Sequence, residues 1–291
     1  TGNGRCNLTN TGARPENYHG AQPDFPAAVL SRFTPEDTLR FFDSLGLTVS
    51  LEYGGRVYPQ SNSANSVVDV LRFALLRDNI SVRTACPARG IERRGEGFAV
   101  KTDEGEIRAD RVIVSCGGAA GTKVGGVTDG YELLKPLGHK CTKIHPSLVQ
   151  LITDPTYPRA LKGVRVNAKT ALECGGSIVA ESEGELQFTE TGVSGPAAFD
   201  ISRAASENGR GVIHIDLSGG ADIEGKLHSR IAANPELGAE DILTGVLHSR
   251  LGKMVVKYAR VGGGKPIGEL SGNELAAIVR SCHDFELDLR G

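Results

Sequence analysis

No sign of charge dominates the chain. Its 33 lysines and arginines face 35 aspartates and glutamates, a formal net charge of −2, which removes the electrostatic case for a nucleic-acid partner. No apolar run approaches the roughly 20 residues that span a bilayer, and no signal peptide is present, so a membrane partner is not expected. The six cysteines, at 6, 86, 116, 141, 174 and 282, form no Cys-x-x-Cys pair, so no zinc site is expected. They read as the reduced thiols of a cytoplasmic protein. Tryptophan is absent and Met254 is the one methionine. A first residue other than Met therefore reads as a front that has been trimmed. Glycine, by contrast, is abundant: 38 residues, against a usual share of about 7%. The 291 residues suffice for a large core and two domains.

Residues 1–31 read as loop. Thr34-Pro35-Glu36-Asp37 starts a helix, with Thr34 as cap, Pro35 in the first helical position and acids in the first turn. Residues 52–59 read as a hairpin around Gly54-Gly55. Val67, Val70, Leu71, Ala74 and Leu75 mark an amphipathic helix. Residues 80–84 read as an alternating strand and 98–109 as a hairpin around Asp103-Glu104-Gly105. Residues 111–116 read as a buried strand that ends in Gly117-Gly118. The order suggests an α/β layer with a small antiparallel crossover. Residues 129–138 read as a short helix capped by Asp129, shortened by Pro136 and stopped by Gly138. From about 145 the pattern becomes antiparallel β: strands within 161–189, broken at Gly175-Gly176 and Glu183-Gly184, then 211–217. After 222 it turns helical, with Ile242, Leu243, Val246 and Leu247 as one stripe and Ser271-Gly272-Asn273-Glu274 as a capping box. Residues 285–291 read as a strand only beginning to pair, so the back end also reads as cut.

Three segments are candidates for chemistry. In Thr1-Gly2-Asn3-Gly4-Arg5-Cys6-Asn7 the glycines permit positive φ and bring backbone N–H groups close to a ligand. Arg5 can pair with a phosphate or a carboxylate. The alternative is a plain Asn/Gly surface turn. In Val112-Ile113-Val114-Ser115-Cys116-Gly117-Gly118 a strand delivers two glycines at its carboxyl end, which suits close approach to a cofactor, or is an ordinary strand exit. Asp129 is a cap rather than a catalyst. In the third segment, 184–197, Ser194 sits in Gly-x-Ser-Gly rather than the Gly-x-Ser-x-Gly of a hydrolase elbow, so no serine nucleophile is expected. Its Glu and Thr residues could line a substrate pocket or cap the helix after Pro196. His139 and His145, six apart, fit no helical metal pair. Val261-Gly262-Gly263-Gly264-Lys265 lacks the following Ser or Thr of a phosphate loop, because residue 266 is Pro.

Taken together, the 1–10 loop, the 112–138 segment and the 184–197 segment resemble, in order and spacing, the BaiN-like flavoproteins, bacterial FAD-dependent oxidoreductases often described as aminoacetone-oxidase-type. The likeness spans essentially the whole chain. It implies an α/β fold (α+β overall): an incomplete Rossmann-like FAD-binding domain at 1–142, an inserted antiparallel β-rich domain at 143–221, and a small helical segment at 222–291 that begins the return to the FAD domain. It also implies that the Gly-x-Gly-x-x-Gly turn would precede Thr1 and a flavin-closing segment would follow Gly291, so this chain alone would hold FAD weakly or not at all. Two departures stand out. Cys116 replaces a usual Thr, and Ala119-Ala120-Gly121-Thr122 replaces a Tyr-Pro stretch. By the resemblance, Asn3, Gly4, Arg5, Cys6 and Asn7 line the pyrophosphate and ring side of FAD. Residues near Ala88 contact the adenine through backbone, and Cys116, Gly117, Gly118, Asp129 and Gly130 lie near the ribityl and ring. The implied activity passes electrons between NAD(P)H and a small organic substrate, as in C=C reduction. No catalytic acid is identified. A non-catalytic binding module is the rival reading, and a tRNA-modifying flavoprotein is disfavoured by the charge balance.

Overall fold

The computed structural model describes residues 4–20, 22, 24–122 and 125–291. The chain divides into two compact units, Thr1–Thr142 and Lys143–Gly291.

The first unit runs β1 (Thr9–Asn10), α1 (Phe25–Leu30), α2 (Pro35–Ser44), β2 (Val49–Glu52), β3 (Arg56–Pro59), α3 (Ala64–Ala74), β4 (Ala88–Arg94), β5 (Gly97–Thr102), β6 (Gly105–Ala109) and α4 (Asp129–Leu134). Helix α2 begins where the sequence places it. The Thr34 hydroxyl accepts from the Asp37 N–H at 3.1 Å and the Asp37 carboxylate accepts from the Thr34 N–H at 2.8 Å, a reciprocal capping box. The β2–β3 hairpin turns on Gly54 and Gly55, at φ +75° and +77°. β1 joins it in the order β1–β3–β2, and β4–β5–β6 forms a separate antiparallel meander.

Several expectations need correction. The first 31 residues are not all loop, since they hold β1 and α1. Neither 80–84 nor 111–116 forms a strand among the described residues, and Ile113 is 89% exposed. A strand exists through its ladder, and the ladders that do form here join neighbours in antiparallel fashion. These two segments find no such partner. Strand β4 was not anticipated, because Ile91 is its one buried apolar residue amid arginines and Glu92. Asp129 is the first residue of α4 rather than its cap, which is Thr128. Pro136 does shorten the helix. The backbone tightens to a 3-10 turn over Lys135–Leu137 and ends at Gly138, φ +92°.

The second unit contains β7 (Leu151–Ile152), β8 (Arg165–Cys174), β9 (Ser177–Phe188), β10 (Gly192–Ser194), α5 (Pro196–Asn208), β11 (Gly211–Asp216), α6 (Ile223–Ala233), α7 (Ser249–Tyr258), α8 (Gly272–His283) and β12 (Phe285–Leu289). The strands lie in the order β12–β11–β8–β9–β10–β7, antiparallel throughout. The two ends of that sheet meet. The Asp154 N–H donates to the Asp288 carbonyl at 2.9 Å and the Arg290 N–H to the Ile152 carbonyl at 2.7 Å. The sheet is therefore a closed six-stranded barrel, which leaves neither end strand as a free edge. Alternation explains its filling. In β12, Phe285, Leu287 and Leu289 are buried while Glu286 and Asp288 are exposed.

Strand β9 runs straight through Glu183-Gly184, so the expected break there is absent. Residues 242–247 lie outside any α-helix, and α7 starts only at Ser249. Ile223, Leu227, Ile278 and Cys282 of the helices share one core with Leu172, Ile213 and Phe285 of the barrel. Residues 285–289 form β12, which pairs with β11 over five positions. No helix among the described residues is long and apolar enough to cross a membrane.

Candidate functional site

The opening loop is shaped by contacts distant in sequence. Asn3 lies outside the described residues. Gly4 has φ +86° and Cys6 φ +63°, a left-handed conformation that a non-glycine residue adopts only under local constraint. The constraint is visible. The Gly4 carbonyl accepts from the Ala64 N–H at 2.6 Å, and the Leu8 N–H donates to Val57 O at 2.8 Å. Between these anchors Arg5 donates to Asn62 and Glu52 and stacks 4.1 Å over the Tyr58 ring. Hydrogen bonding to Glu52 raises the guanidinium pKa further. Of the two partners open to Arg5, the structure supplies the carboxylate, so its charge is compensated within the unit. The backbone N–H groups of Arg5, Cys6 and Asn7 have no acceptor among the described residues. Successive free amides around a left-handed residue form a concavity that receives anions or carbonyl oxygens.

The second group lies around the 116–118 bend. Cys116 and Gly117 are exposed, and Gly117 has φ +84°. The Val127 N–H donates to the Gly118 carbonyl at 2.9 Å. A Cβ on Gly118 would lie 2.6 Å from the Tyr131 hydroxyl, and one on Gly130 would lie 2.6 Å from Cys116 Sγ. Both contacts are with side-chain ends, so a methyl at either position would push the Tyr131 hydroxyl or the Cys116 thiol aside. Asp129, in the first turn of α4, adds its field to Arg89. Arg89 is gripped by both Asp103 oxygens at 2.8 Å, which raises its pKa. Ala88 is exposed and opposite Thr102. A cleft of about 550 Å³ adjoins this group, walled by Ile91, Phe98, Val112, Val114 and Leu134. Sequence reasoning missed it, because the continuous apolar run Val112-Ile113-Val114 carries no alternation; only the structure shows Ile113 exposed between two half-buried valines. Among the described residues no hydrogen bond joins the opening loop to the 116–130 group.

The third segment is architectural. Ser194 pairs with Gln187 in the β10–β9 ladder, and no histidine or carboxylate bonds it among the described residues. Gly195, at φ +93° and ψ 171°, precedes α5 and provides no side-chain cap. Glu190 is held by Lys162 at 2.8 Å. The Thr189 hydroxyl oxygen is buried without a partner among the described residues. His145 is satisfied by the Ser206 carbonyl at 3.0 Å. Lys265 of the glycine run binds both Glu274 oxygens, at 3.0 and 2.7 Å, so it braces the α8 cap and is not part of a phosphate loop. That ion pair and two bonds from Ser271 lower the Glu274 pKa to about 2.

Residues 1–280 match the family described as HI0933-like protein Rossmann domain. The chain belongs to this family. Its fold class is accordingly α/β and Rossmann-like, and the resemblance carried by the three segments holds. Among relatives of the HI0933-like chain, a 3-dehydro-bile acid delta(4,6)-reductase of Clostridium scindens is 32% identical over 97% of the chain and 70% of its own length. Ribosomal RNA dihydrouridine synthases of Escherichia coli and Haemophilus influenzae are each 23% identical over 100% of the chain and 72% of their own lengths.

Proposed function

We propose that this HI0933-like chain serves an FAD-dependent oxidoreductase that takes electrons from NADH or NADPH and reduces a carbon–carbon double bond of a small organic substrate. The similarity to a delta(4,6)-reductase at 32% identity supports it, and the two other relatives are dihydrouridine synthases. The observation that carries the reading is the opening loop, whose Arg5, Cys6 and Asn7 amides have no acceptor among the described residues and would form a receptor for phosphate or ring-carbonyl oxygens. The residues present fit the cofactor. Gly117 and Gly118 offer backbone without Cβ, and Asp129 and Gly130 adjoin them. Gly4–Asn7, Ala88, Cys116–Gly118 and Asp129–Gly130 would hold it. FAD, when bound, supplies the two-electron chemistry; this chain's residues bind and orient.

Arg5 acts here by holding the loop, since its charge is already matched by Glu52. The balanced 33 to 35 charge count favours a small substrate over RNA, and an RNA partner would show itself as salt-dependent binding. Six unpaired cysteines fit a reducing, cytoplasmic compartment.

The test uses FAD in large excess. Flavin fluorescence should be quenched by the protein, more weakly by Gly118→Ala, and NADH or NADPH oxidation should rise on adding a conjugated enone. Absence of both quenching and turnover would refute the reading.

A further inference from the structure

On the outer face of the barrel one imidazole stands among carboxylates from three different stretches of chain. His214 of β11 lies directly opposite Glu286 of β12. Its Nδ1 is 2.8 Å from Asp284 Oδ1, at the α8–β12 junction, and 3.9 Å from Glu286 Oε1. Its Nε2 points at Glu173 Oε2 of β8, 3.4 Å away. That nitrogen is buried and makes no hydrogen bond among the described residues. Nearby, His283 faces Asp216 at 3.5 Å.

Carboxylates only accept hydrogen bonds. With the ring proton on Nδ1, Asp284 simply accepts it. In the other tautomer Nε2–H turns to Glu173, 3.4 Å away, and the Nδ1 lone pair faces Asp284 and Glu286, three ligand atoms that a cation can share. A ligating histidine whose other nitrogen is turned to a carboxylate is the usual arrangement behind a metal site. The three candidate ligand atoms lie within 4.8 Å of one another. Rotation of the exposed Asp284 and Glu286 side chains brings them to the ~3.3 Å separations of a tetrahedral site with ~2.0–2.2 Å bonds. One imidazole with two carboxylates suits a borderline cation rather than a purely oxygen-seeking one.

We propose that His214, Asp284 and Glu286 form a binding site for a divalent transition cation of the zinc type, with Glu173 as the positioning residue behind the imidazole. The site braces β8, β11 and β12 on the barrel exterior and is open to solvent on its remaining positions.

The test is titration of the chelator-stripped full chain with Zn²⁺ by calorimetry, together with NMR of the histidine ring nitrogens. One equivalent should bind and shift the His214 Nδ1 resonance. His214→Ala, and the double variant Asp284→Asn with Glu286→Gln, should each weaken binding at least about tenfold, and Glu173→Gln about tenfold through ring orientation. His228→Ala, at a separate surface His–Glu pair, should leave it unchanged. Circular dichroism checks that the double variant folds, as expected when both altered carboxylates are exposed. Failure of Zn²⁺ in large molar excess to bind, or binding that survives the double variant, overturns the proposal and leaves His214 as an ion-paired histidine.

Discussion

Replacing Gly195 by alanine tests the claim that the Gly-x-Ser-Gly segment is architecture. Gly195 sits at φ +93° and ψ 171°, a region that only glycine populates readily and that costs another residue about 1–3 kcal/mol. Conformation is half of the problem. A Cβ there would lie 2.7 Å from the Glu185 carbonyl oxygen and 3.3 Å from the Gln187 N–H nitrogen. These are backbone atoms of β9, so no side chain can swing aside, and overpacking of this kind costs about 1–3 kcal/mol more. The sum is about 4 kcal/mol, or a fall in Tm of ~12 °C for a unit of this size. Gly175→Ala is the control. It has φ +60° but open space around the new methyl, so it should cost only the left-handed penalty of about 1–2 kcal/mol. Urea denaturation of both variants measures the difference. If Gly195→Ala loses no more stability than Gly175→Ala, the close approach of α5 to β9 is not what demands the glycine.

Two further outcomes follow from the same unit. The Glu274 pKa is about 2 when folded against 4.5 unperturbed, a depressed carboxylate whose stabilisation is complete above 4.5 and disappears as pH falls toward 2. Thermal melts should therefore show the gap between wild type and Glu274→Gln shrinking to nothing across that window. Leu172→Ala empties a fully buried position in the barrel and should cost about 2–5 kcal/mol by denaturant titration, the upper end if the cavity cannot collapse.

The sequence was most legible where structure is local. The Thr34 and Ser271 caps, the Gly54-Gly55 and Gly175-Gly176 turns and the α3 stripe are set by residues within a few positions of one another. Legibility failed where an element depends on distant partners. Residues 111–116 carry a strand's composition but lack a ladder, and β4 is a strand through pairing with β5 despite its charges. The candidate site divides in the same way. The left-handed Gly4 and the glycines at 117, 118 and 130 follow from residue type. The partners that fix Arg5, Glu52 and Asn62, are 47 and 57 residues away and carry no pattern linking them to it. Cys6 in a left-handed conformation had no signal in its own identity.

Closure of the barrel also sets a schedule for synthesis. Strand β7 at Leu151 meets its last neighbour only through residues around 288–290. At about 5–20 residues per second, the ribosome takes on the order of ten seconds to deliver the second after the first. Throughout that interval one flank of β7 has nothing to bond, and β10 and β9 can already be in place on the other. The nascent chain therefore presents a bare strand edge to any neighbouring polypeptide until translation is nearly complete. A ribosome stalled anywhere between β11 and β12 would hold that edge open indefinitely.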